Sequence, residues 1–518
     1  MQRRSPKCLG RCLPAAALAI LSTPAGAATL YVDPSLPSDC SSSYDPSSRA
    51  CGGGSDTAYA SLSAAASAAA PGDTVLLREG SYGERLVPQS SGAAGQPITY
   101  SVHAGETATL TGLGEPAIFI AALSYIVVEG LQVDDALGWG RLEDADHITI
   151  RDNVFTQATA TGTTGGFKLV RSNHNVLRGN RFEDGNDNVV VQESDHNLLE
   201  DNVFYRGRHS LLSVRCGDFN VIRGNRFDNP DQKSAEIYDC EGVSDAPYEL
   251  DATKHNLFDR NQFVFTLGSD MPHRYNGIQY AGQQGIVRRN LFFDNEGGGL
   301  GVQVYSDEAL HNYGHRIYNN TFVENRCFGL FASNDDEPTR YYDVRVENGL
   351  FYGNADCSGG GEQVSIGNTT AVELADNELA TSDPGFVDVA GRDLRLTESS
   401  PMVDAARFVT RTVGAGSGTE LAVEDGGYFY DGYGIEGETG DEIQLEGQTE
   451  TARVVGIDYD AHLLSLDRSL TWTDGAGVHL AFAGAAPDMG ALEIGEEIGP
   501  GGAGGTGTGG SGAAAGSG

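Results

Sequence analysis

The segment HNVLRGNRFEDGNDNVVVQESDHNLLEDNVF (174–204) contains two copies of one short motif, each ending in an Asn and a Phe two positions apart. Six further variants of the motif occur between residues 147 and 351. The Asn residues of neighbouring copies are separated by 22 to 36 residues. A short unit repeated with insertions of variable length is typical of a solenoid. The eight Asn residues are Asn153, Asn180, Asn202, Asn225, Asn261, Asn290, Asn320 and Asn348.

Within each copy, apolar and polar residues alternate over short runs rich in Val, Ile and Phe, and Gly, Asn and Asp interrupt the runs. This pattern predicts short β-strands rather than helices. A repeated unit of about 22 residues, with about three strands and three bends, builds a parallel β-helix. We therefore predict an all-β chain in which the Phe side chains stack inside the solenoid and the Asn side chains bond backbone groups at bends.

The composition limits the partners of this chain. Its 518 residues include 70 Gly, and 34 Lys and Arg stand against 72 Asp and Glu. A net charge of −38 repels nucleic acid and anionic membranes, so we expect neither as a partner. No stretch after the first 27 residues is long and apolar enough to span a bilayer. We expect one solenoid that grows along a line and acts as a monomer.

The first 27 residues combine a basic region, an apolar run and a small-residue site at Ala25–Ala27. This arrangement is typical of a secretory signal peptide and predicts a secreted or cell-surface protein. Six Cys residues follow it, and an oxidising destination favours disulfides. Six cysteines allow 15 pairings. Pairing of sequence neighbours gives the hypothesis Cys40–Cys51, Cys216–Cys240 and Cys327–Cys357.

The rest of the chain divides into three predicted parts. Residues 28–406 are predicted to form the parallel β-helix, with the Ala-rich helix Tyr59–Ala70 covering the open end of the first coil. Residues 407–495 alternate strands and turns mostly without the Asn-Phe repeat, which predicts a small antiparallel β-module followed by a return to the solenoid. The Gly-rich segment 496–518 predicts a flexible tail.

Three features of the sequence match a known superfamily. They are the segment PGDTVLLREGSYGE (71–84) after an N-terminal helix, the Asn-x-Phe repeat, and the ending APDMGALEIG (486–495). With these features the chain resembles the right-handed parallel β-helix superfamily of secreted carbohydrate-active proteins, which is pectate lyase-like. The resemblance covers residues 29–405 and the ending. It implies a right-handed solenoid and a polysaccharide partner.

One strand of each coil is expected to line an exposed surface. Alternate residues of this strand point outward, and stacking of the coils places them in rows. Polar, planar and aromatic groups in such rows suit a linear sugar chain. Residues 151–230 hold ten basic and ten acidic residues, a locally neutral region that could admit an acidic polysaccharide. A solvated sheet face with paired charges is the alternative. The substrate-binding candidates are Lys168, Arg171, Gln192, Gln279, Tyr280 and Gln303.

The segment HSLLSVRCGDFNVIRGNRF (209–227) is similar to the strand that carries the catalytic Arg of the chondroitinase B and alginate lyase family. The resemblance implies β-elimination of a uronate-containing polysaccharide, for which a cation, Ca²⁺ or Arg, neutralises the uronate carboxylate. The catalytic Lys of that family is expected near Glu193, where this chain has no Lys. The catalytic candidates are Arg215, His209, Lys233, Arg274 and Tyr238, and the candidate Ca²⁺ ligands are Glu193 and Glu236.

Two other functions are compatible with the sequence. A non-catalytic carbohydrate-binding or cell-surface protein agrees with the missing Lys and with the Gly-rich tail. A glycoside hydrolase needs two carboxylates at a defined separation. The run Asp335-Asp336-Glu337 follows a predicted strand, but such a run at a bend is more often solvated surface, so the sequence does not place the two carboxylates.

Overall fold

The computed structural model describes residues 26–160, 165–238, 253–268, 275–302, 312–332 and 341–497. Regular structure in these residues is almost entirely β-strand, and no helix among them is long and apolar enough to cross a membrane. Several predictions fall outside the described residues. These are the signal peptide up to residue 25, the tail from residue 498, Arg274, Gln303 and the run Asp335–Glu337.

The first large sheet runs along the solenoid, and the described residues contribute 16 strands to it. From Thr29–Val32 onward, each strand pairs in parallel with the strand of a neighbouring coil. In spatial order the strands are Ala50–Cys51, Cys40–Asp45, Asp56–Tyr59, Thr29–Val32, Thr74–Leu77, Ile98–Val102, Ser124–Glu129, Asp146–Arg151, Val176–Arg178, Leu198–Glu200, Val221–Arg223, Leu257–Asp259, Ile286–Arg288, Arg316–Tyr318, Val344–Glu347 and Val372–Ala375.

The second large sheet contains two strand rows per coil. The long strands Arg181–Gln192 and Val203–Arg215 pass from one row to the other without a break and so join the rows. The first row holds Gly80–Tyr82, Ala108–Leu113, Gln132–Ala136, Val154–Thr156, Arg226–Asp228, Gln262–Val264, Leu291–Phe293, Thr321–Val323, Leu350–Tyr352 and Glu378–Ala380. The second row holds Ile118–Ala121, Gly140–Glu143, Phe167–Val170, Ala235–Tyr238, Ile278–Tyr280, Leu300–Val302, Leu330–Ala332 and Val364–Ile366.

Three smaller sheets complete the described fold. Two of them are strand pairs, one parallel and one antiparallel: Asn312–Tyr313 with Tyr341–Tyr342, and Phe386–Asp388 with Asp393–Leu396. The third is the predicted antiparallel β-module, six strands in the spatial order Thr410–Arg411, Gly477–Leu480, Glu442–Leu445, Thr451–Asp458, Leu463–Trp472 and Gly416–Ala422.

The Phe residues of the repeat form a continuous stack inside the solenoid, as predicted. Ring centroids of successive coils lie 4.5 to 5.2 Å apart, and the rings are close to parallel. This spacing follows from the separation of neighbouring strands, about 4.8 Å. The stack contains Phe155, Phe182, Phe204, Phe227, Phe263, Phe292, Phe322 and Phe351, all fully buried.

The Asn residues form a hydrogen-bonded ladder from Asn153 to Asn320. The Nδ2 atom of each Asn donates to Oδ1 of the Asn in the next coil at 3.0 to 3.1 Å, and its backbone N–H donates to the same oxygen. The residue before each Asn, such as Asp152 or Arg260, takes the left-handed conformation of the bend. The Asn therefore satisfies backbone groups at the bend, and its neighbour supplies the turn.

Asn348 departs from the ladder, which corrects its placement among the repeated Asn residues. Gly349 occupies the ladder position and donates its N–H to Asn377 at 2.7 Å. Asn348 itself has φ of 54° and bonds both backbone groups of Arg407. Asn348 precedes the ladder position by one residue. Its side chain instead joins the solenoid to the segment around Arg407, which follows the last coils.

The predicted capping helix is present but shorter than expected. It spans Leu62–Ala68, and the Ser61 side chain accepts a hydrogen bond from the backbone N–H of Ala64 as its N-cap. Tyr59 is not helical because it pairs with Val32 in the first sheet. Leu62, Ala65 and Ala66 are buried in the main core, so the helix covers the first coil as predicted.

The β-module packs on the outward face of the first sheet. Leu198, Val221, Leu257 and Ile286 of the sheet share one buried cluster with the apolar residues of the module. Ion pairs that are buried or partly buried reinforce this contact. They are Arg288–Asp441 at 2.6 Å, Arg223–Glu438 at 2.7 Å and Arg316–Asp425 at 2.8 Å. Because removing one member would leave a buried charge without its partner, these pairs hold the module in one position.

Two of the three predicted disulfides are confirmed, Cys40–Cys51 and Cys327–Cys357. Cys216 is also disulfide-bonded, and Cys240, its predicted partner, lies outside the described residues. Each confirmed bond closes a loop within one coil or between neighbouring coils, as expected for a solenoid in which residues close in space are close in sequence.

A second aromatic column lies at another bend of the coils. The rings of His147, His174, His196 and Phe219 stack in sequence with centroids 5.0 to 5.3 Å apart. Burial, followed by repulsion from His196 and His147, lowers the pKa of His174 below its usual value of about 6.5. The folded protein therefore holds this imidazole neutral.

We expect the protein to lose stability as the pH falls below about 6.5, because the unfolded chain then binds protons that folded His174 resists. The variant His174→Phe keeps the stack, since Phe219 already occupies the equivalent position, and removes the titrating group. Its melting temperature should equal that of the parent at pH 7.5 and fall less between pH 7.5 and pH 5. An equal fall in both proteins would contradict this explanation.

Candidate active site

The strand register brings the predicted outward residues into two adjacent rows. One row contains Lys168, Ser213, Glu236 and Gln279, with Val190 between the first two. The other row, two residues along each strand, contains Gln192, Arg215 and Tyr238. These rows form the outward face of the second strand row, on the opposite side of the sheet from the Phe stack.

Glu236 is the centre of a polar cluster in these rows. Its carboxylate is fully buried, and Oε1 lies 3.3 Å from Nη2 of Arg215 and 3.7 Å from Nδ1 of His209. Oε2 accepts a hydrogen bond from the Tyr238 hydroxyl at 2.9 Å and pairs with Nζ of Lys233. Five of the predicted site residues therefore meet at one point. We call Asp187, His209, Arg215, Lys233, Glu236 and Tyr238 the Glu236 cluster.

Asp187 and His209 form a hydrogen-bonded pair at the edge of the cluster. Oδ1 of Asp187 lies 2.6 Å from Nδ1 of His209 and also accepts a hydrogen bond from the Ser210 hydroxyl at 2.8 Å. The hydrogen bond to Asp187 raises the pKa of His209. Burial opposes this rise, and the nearby charge of Glu236 adds to it. Burial works against ionisation of Asp187, but its bonds to His209 and Ser210 outweigh burial and lower its pKa. With Nδ1 directed at Asp187, Nε2 is the His209 nitrogen left for chemistry.

A β-bulge places His209 beside Asp187. Gly185 pairs with Gly207, but Asp187 pairs with Ser210, so the later strand carries one extra residue between these points. A bulge re-aims the neighbouring side chains, and here it turns His209 toward the preceding coil. Asp187 was missed in the sequence because its role depends on this irregularity, which the repeat does not encode.

Arg215 is held in place by its neighbours on the same face. Its Nε donates to the Ser213 hydroxyl at 2.9 Å, and its guanidinium lies 5.4 Å from the centre of the Tyr238 ring. Burial and the nearby Glu236 raise the pKa of Tyr238 far above its usual range, so its phenol stays protonated. The side chain of Arg215 is 27% exposed, which leaves part of the guanidinium accessible to a ligand.

Lys168 extends the basic surface two coils before Arg215. Burial, together with repulsion from Arg141 and Arg215, lowers its pKa below the usual value. Gln279 continues the same row on the other side of Glu236 and is buried. The face therefore changes from basic groups on one side of the cluster to an amide on the other.

Three predicted site residues do not take the expected place. Tyr280 is 1% exposed and packs inside the core, so its assignment to substrate binding is wrong. Arg171 lies at a bend, where it pairs with Asp144 at 2.8 Å. Glu193 occupies the equivalent bend in the next coil, 3.9 Å from Arg171 and outside the Glu236 cluster.

Asp187, His209 and Glu236 form the group of metal-type ligands found within the described residues, with ligand atoms within 4.8 Å of one another. The group does not fit Ca²⁺. That ion takes six to eight oxygen ligands, whereas this group offers two carboxylates and an imidazole. Arg215 and Lys233 already contact the Glu236 carboxylate, so a divalent ion would add positive charge where two cations lie.

Comparison with known proteins agrees with this architecture. Residues 117–246 match the right-handed β-helix region family. The fold of the chain is a right-handed parallel β-helix. This β-helix protein is 26% identical over 421 residues to the Bacillus subtilis (strain 168) protein YwoF, described as uncharacterized, covering 66% of this chain and 87% of YwoF.

Several solved structures match this chain at low sequence identity. Pectate lyase Pel9A is 13% identical with a TM-score of 0.45, and the match covers 90% of this chain and 97% of Pel9A. The family 6 polysaccharide lyase Pedsa3628 from Pseudopedobacter saltans is 15% identical with a TM-score of 0.44, covering 67% of this chain and 96% of the lyase. These likenesses concern the course of the backbone.

Proposed function

We propose that this β-helix protein is a secreted or cell-surface lyase that cleaves a uronate-containing polysaccharide by β-elimination. The observation that carries the proposal is the Glu236 cluster, in which an Arg, a Lys, a Tyr and an Asp–His pair meet on the outward face of stacked parallel strands. Stacked coils present a long, shallow face, and such a face suits a linear chain better than a small molecule.

The cluster contains the groups that the elimination needs. Arg215 pairs with the uronate carboxylate and stabilises the negative charge that spreads into it. Nε2 of His209 accepts the proton from the carbon beside the carboxylate, since Asp187 holds Nδ1. The electron pair of that C–H bond forms the new double bond as the glycosidic C–O bond breaks. The protonated phenol of Tyr238 donates the proton to the departing oxygen.

Lys233 and Lys168 support this chemistry through charge. Lys233 pairs with Glu236 and offsets the charge of the buried carboxylate, so Arg215 is not its only cationic partner. In its row Lys168 lies two coils before Ser213, on whose strand Arg215 also lies, about 10 Å at the usual strand spacing. It is placed to contact the carboxylate of a neighbouring sugar unit in an acidic chain.

The test is an ultraviolet assay of the mature protein on alginate, pectate, chondroitin and heparin-type chains. We expect rising absorbance from an unsaturated product on at least one chain, unchanged by EDTA because Arg215 and Lys233 supply the positive charge. Loss of activity with EDTA, restored by Ca²⁺, would contradict the cation-independent mechanism. No product from any chain, with binding retained on a glycan array, would establish a binding protein instead.

A non-catalytic carbohydrate-binding protein is the second candidate. The observation that favours it is that the cluster's charges pair with one another before any substrate arrives. Hydrolysis has less support among the described residues. Asp187 and Glu236 lie close enough for a carboxylate pair, but His209 lowers the pKa of Asp187 against the pull of burial. A carboxyl group that acts as the general acid of a glycoside hydrolase needs a raised pKa instead.

A further inference from the structure

A separate cavity of about 170 Å³ opens where the β-module meets the bends of the solenoid. Its lining includes five aromatic rings, those of His255, Tyr313, Tyr342, Tyr459 and His462. The first three belong to the solenoid and the last two to the module. The cavity borders the first sheet, whereas the Glu236 cluster belongs to the second sheet, so the two places are independent.

Two stacked pairs fix four of these rings. Tyr313 and Tyr342 stack with centroids 4.6 Å apart and planes within 5°. His255 and Tyr459 stack at 4.6 Å and 26°. Tyr342 is 37% exposed, a large fraction for an aromatic ring in an ordered stack. A flat, fixed and accessible ring buries the apolar face of a ligand at low cost in side-chain entropy.

The Gln284 amide and the two imidazoles at the cavity have hydrogen-bonding capacity left. The Gln284 amide and the His255 imidazole make no side-chain hydrogen bonds to the described part of the chain. Burial, and to a smaller extent Lys254, lowers the pKa of His255 to about 4, so its ring carries one donor and one acceptor at neutral pH. Nδ1 of His462 accepts from the backbone N–H of Gly426 at 3.1 Å, which leaves Nε2–H as a donor.

The charged residues at the cavity pair with one another. Nη2 of Arg316 lies 2.9 Å from Asp343, and Nε lies 2.8 Å from Asp425. Asp343 also lies 3.6 Å from Nε of Arg345. Both guanidiniums of this network already face carboxylates, so the lining supports a neutral ligand better than an anionic one. Flat aromatic rings beside amide and imidazole groups suit a ligand such as a sugar, whose ring has one apolar face and carries several hydroxyls.

We propose that this cavity binds one neutral sugar unit. The apolar face of the sugar ring lies against Tyr342, and its hydroxyls bond Gln284, His255 and His462. The volume limits the ligand to a single unit, such as a chain end or a side branch. The site recognises a neutral unit, in contrast to the acidic chain proposed for the Glu236 cluster, and it remains if that proposal fails.

The test uses saturation-transfer NMR with the mature protein and the methyl glycosides of glucose, galactose and mannose, with glucuronate as the charged counterpart. We expect millimolar binding of at least one neutral glycoside and weaker binding of glucuronate. Tyr342→Ala and Gln284→Ala should each weaken that binding at least fivefold. Phe265→Ala removes another exposed aromatic ring and serves as the control, with unchanged binding.

Melting temperatures of the variants show whether the fold is retained. Gln284→Leu fills the same space without hydrogen bonds and replaces Gln284→Ala if the smaller side chain destabilises the bend. The proposal is overturned if no neutral glycoside shows saturation transfer, or if the Tyr342 and Gln284 variants bind as the parent does. Arg215→Ala should leave this binding unchanged, and a loss there would assign the sugar to the Glu236 cluster.

Discussion

The Arg215→Ala variant is expected to lose about 10²–10³-fold in kcat on the uronate polysaccharide, the cost of removing one donor that stabilises a developing oxyanion. The loss follows from the position of the guanidinium, which is partly exposed and held by Ser213 and Tyr238. Initial rates of ultraviolet absorbance at saturating substrate measure it. Arg215→Lys should recover part of the rate, because it restores the charge but not the two parallel hydrogen bonds of a guanidinium.

The fold should survive this substitution because Glu236 keeps Lys233 and Tyr238 as partners. A melting temperature close to that of the parent establishes this. Arg206→Ala is the matched control, since Arg206 lies on the same strand and packs on Tyr205 rather than on the cluster. It should retain parental activity. Full activity of Arg215→Ala would remove Arg215 from the site and leave the lyase proposal without its anion-binding group.

The Asn225→Ala variant is expected to lose about 3–4 kcal/mol of unfolding free energy, at 1–3 kcal/mol for each buried group left unsatisfied. In the parent, Nδ2 of Asn225 donates to the backbone oxygen of Leu199 and to Oδ1 of Asn261. Oδ1 of Asn225 accepts from the backbone and side chain of Asn202. Alanine removes these bonds from the oxygen of Leu199 and the backbone N–H of Asn202. Oδ1 of Asn261 keeps the backbone N–H of residue 225, and Nδ2 of Asn202 keeps the oxygen of Leu177. Denaturant unfolding monitored by circular dichroism measures the loss.

Asn173→Ala gives the comparison for the ladder variant. The side chain of Asn173 accepts one hydrogen bond, from the backbone N–H of Asp195 at 2.8 Å, and is only partly buried. Its loss should cost about 1 kcal/mol. The activity of folded Asn225→Ala should stay near the parental value, because Asn225 lies inside the coil. Loss of activity at an unchanged melting temperature would make this Asn functional rather than structural.

The solenoid was predictable because equivalent residues of successive coils are neighbours in space. A Phe or Asn that recurs in the sequence therefore stacks on its own copies, and the periodicity reports a contact directly. Asn348 shows the limit of this reasoning. A shift of one residue placed Gly349 in the ladder, and the motif looks the same with or without that shift.

The site residues were predictable where the alternation of side chains along a strand determines the face to which each one points. Arg215, Glu236 and Tyr238 follow from their place on outward rows. Tyr280 could not share that face with Gln279, because successive residues of a strand point to opposite sides. Asp187 reached the cluster through a bulge, and the bend residues Arg171 and Glu193 fall where alternation stops. Irregular backbone therefore accounts for the differences at Asp187, Arg171 and Glu193, whereas the Tyr280 prediction went against regular alternation.

The Asn ladders give the solenoid a dipole along its axis. Three ladders begin at Asn153, Asn175 and Asn295, and in each of them the bonds between Asn side chains run from Nδ2 to the Oδ1 of the next, more C-terminal coil. The second Nδ2 hydrogen of these three Asn residues bonds a backbone oxygen of the preceding coil. The amide dipoles are therefore parallel and add along the axis instead of cancelling. Each bond polarises the next in such a chain. The ladders therefore add a fixed dipole along the coils that carry them, independent of the charged side chains.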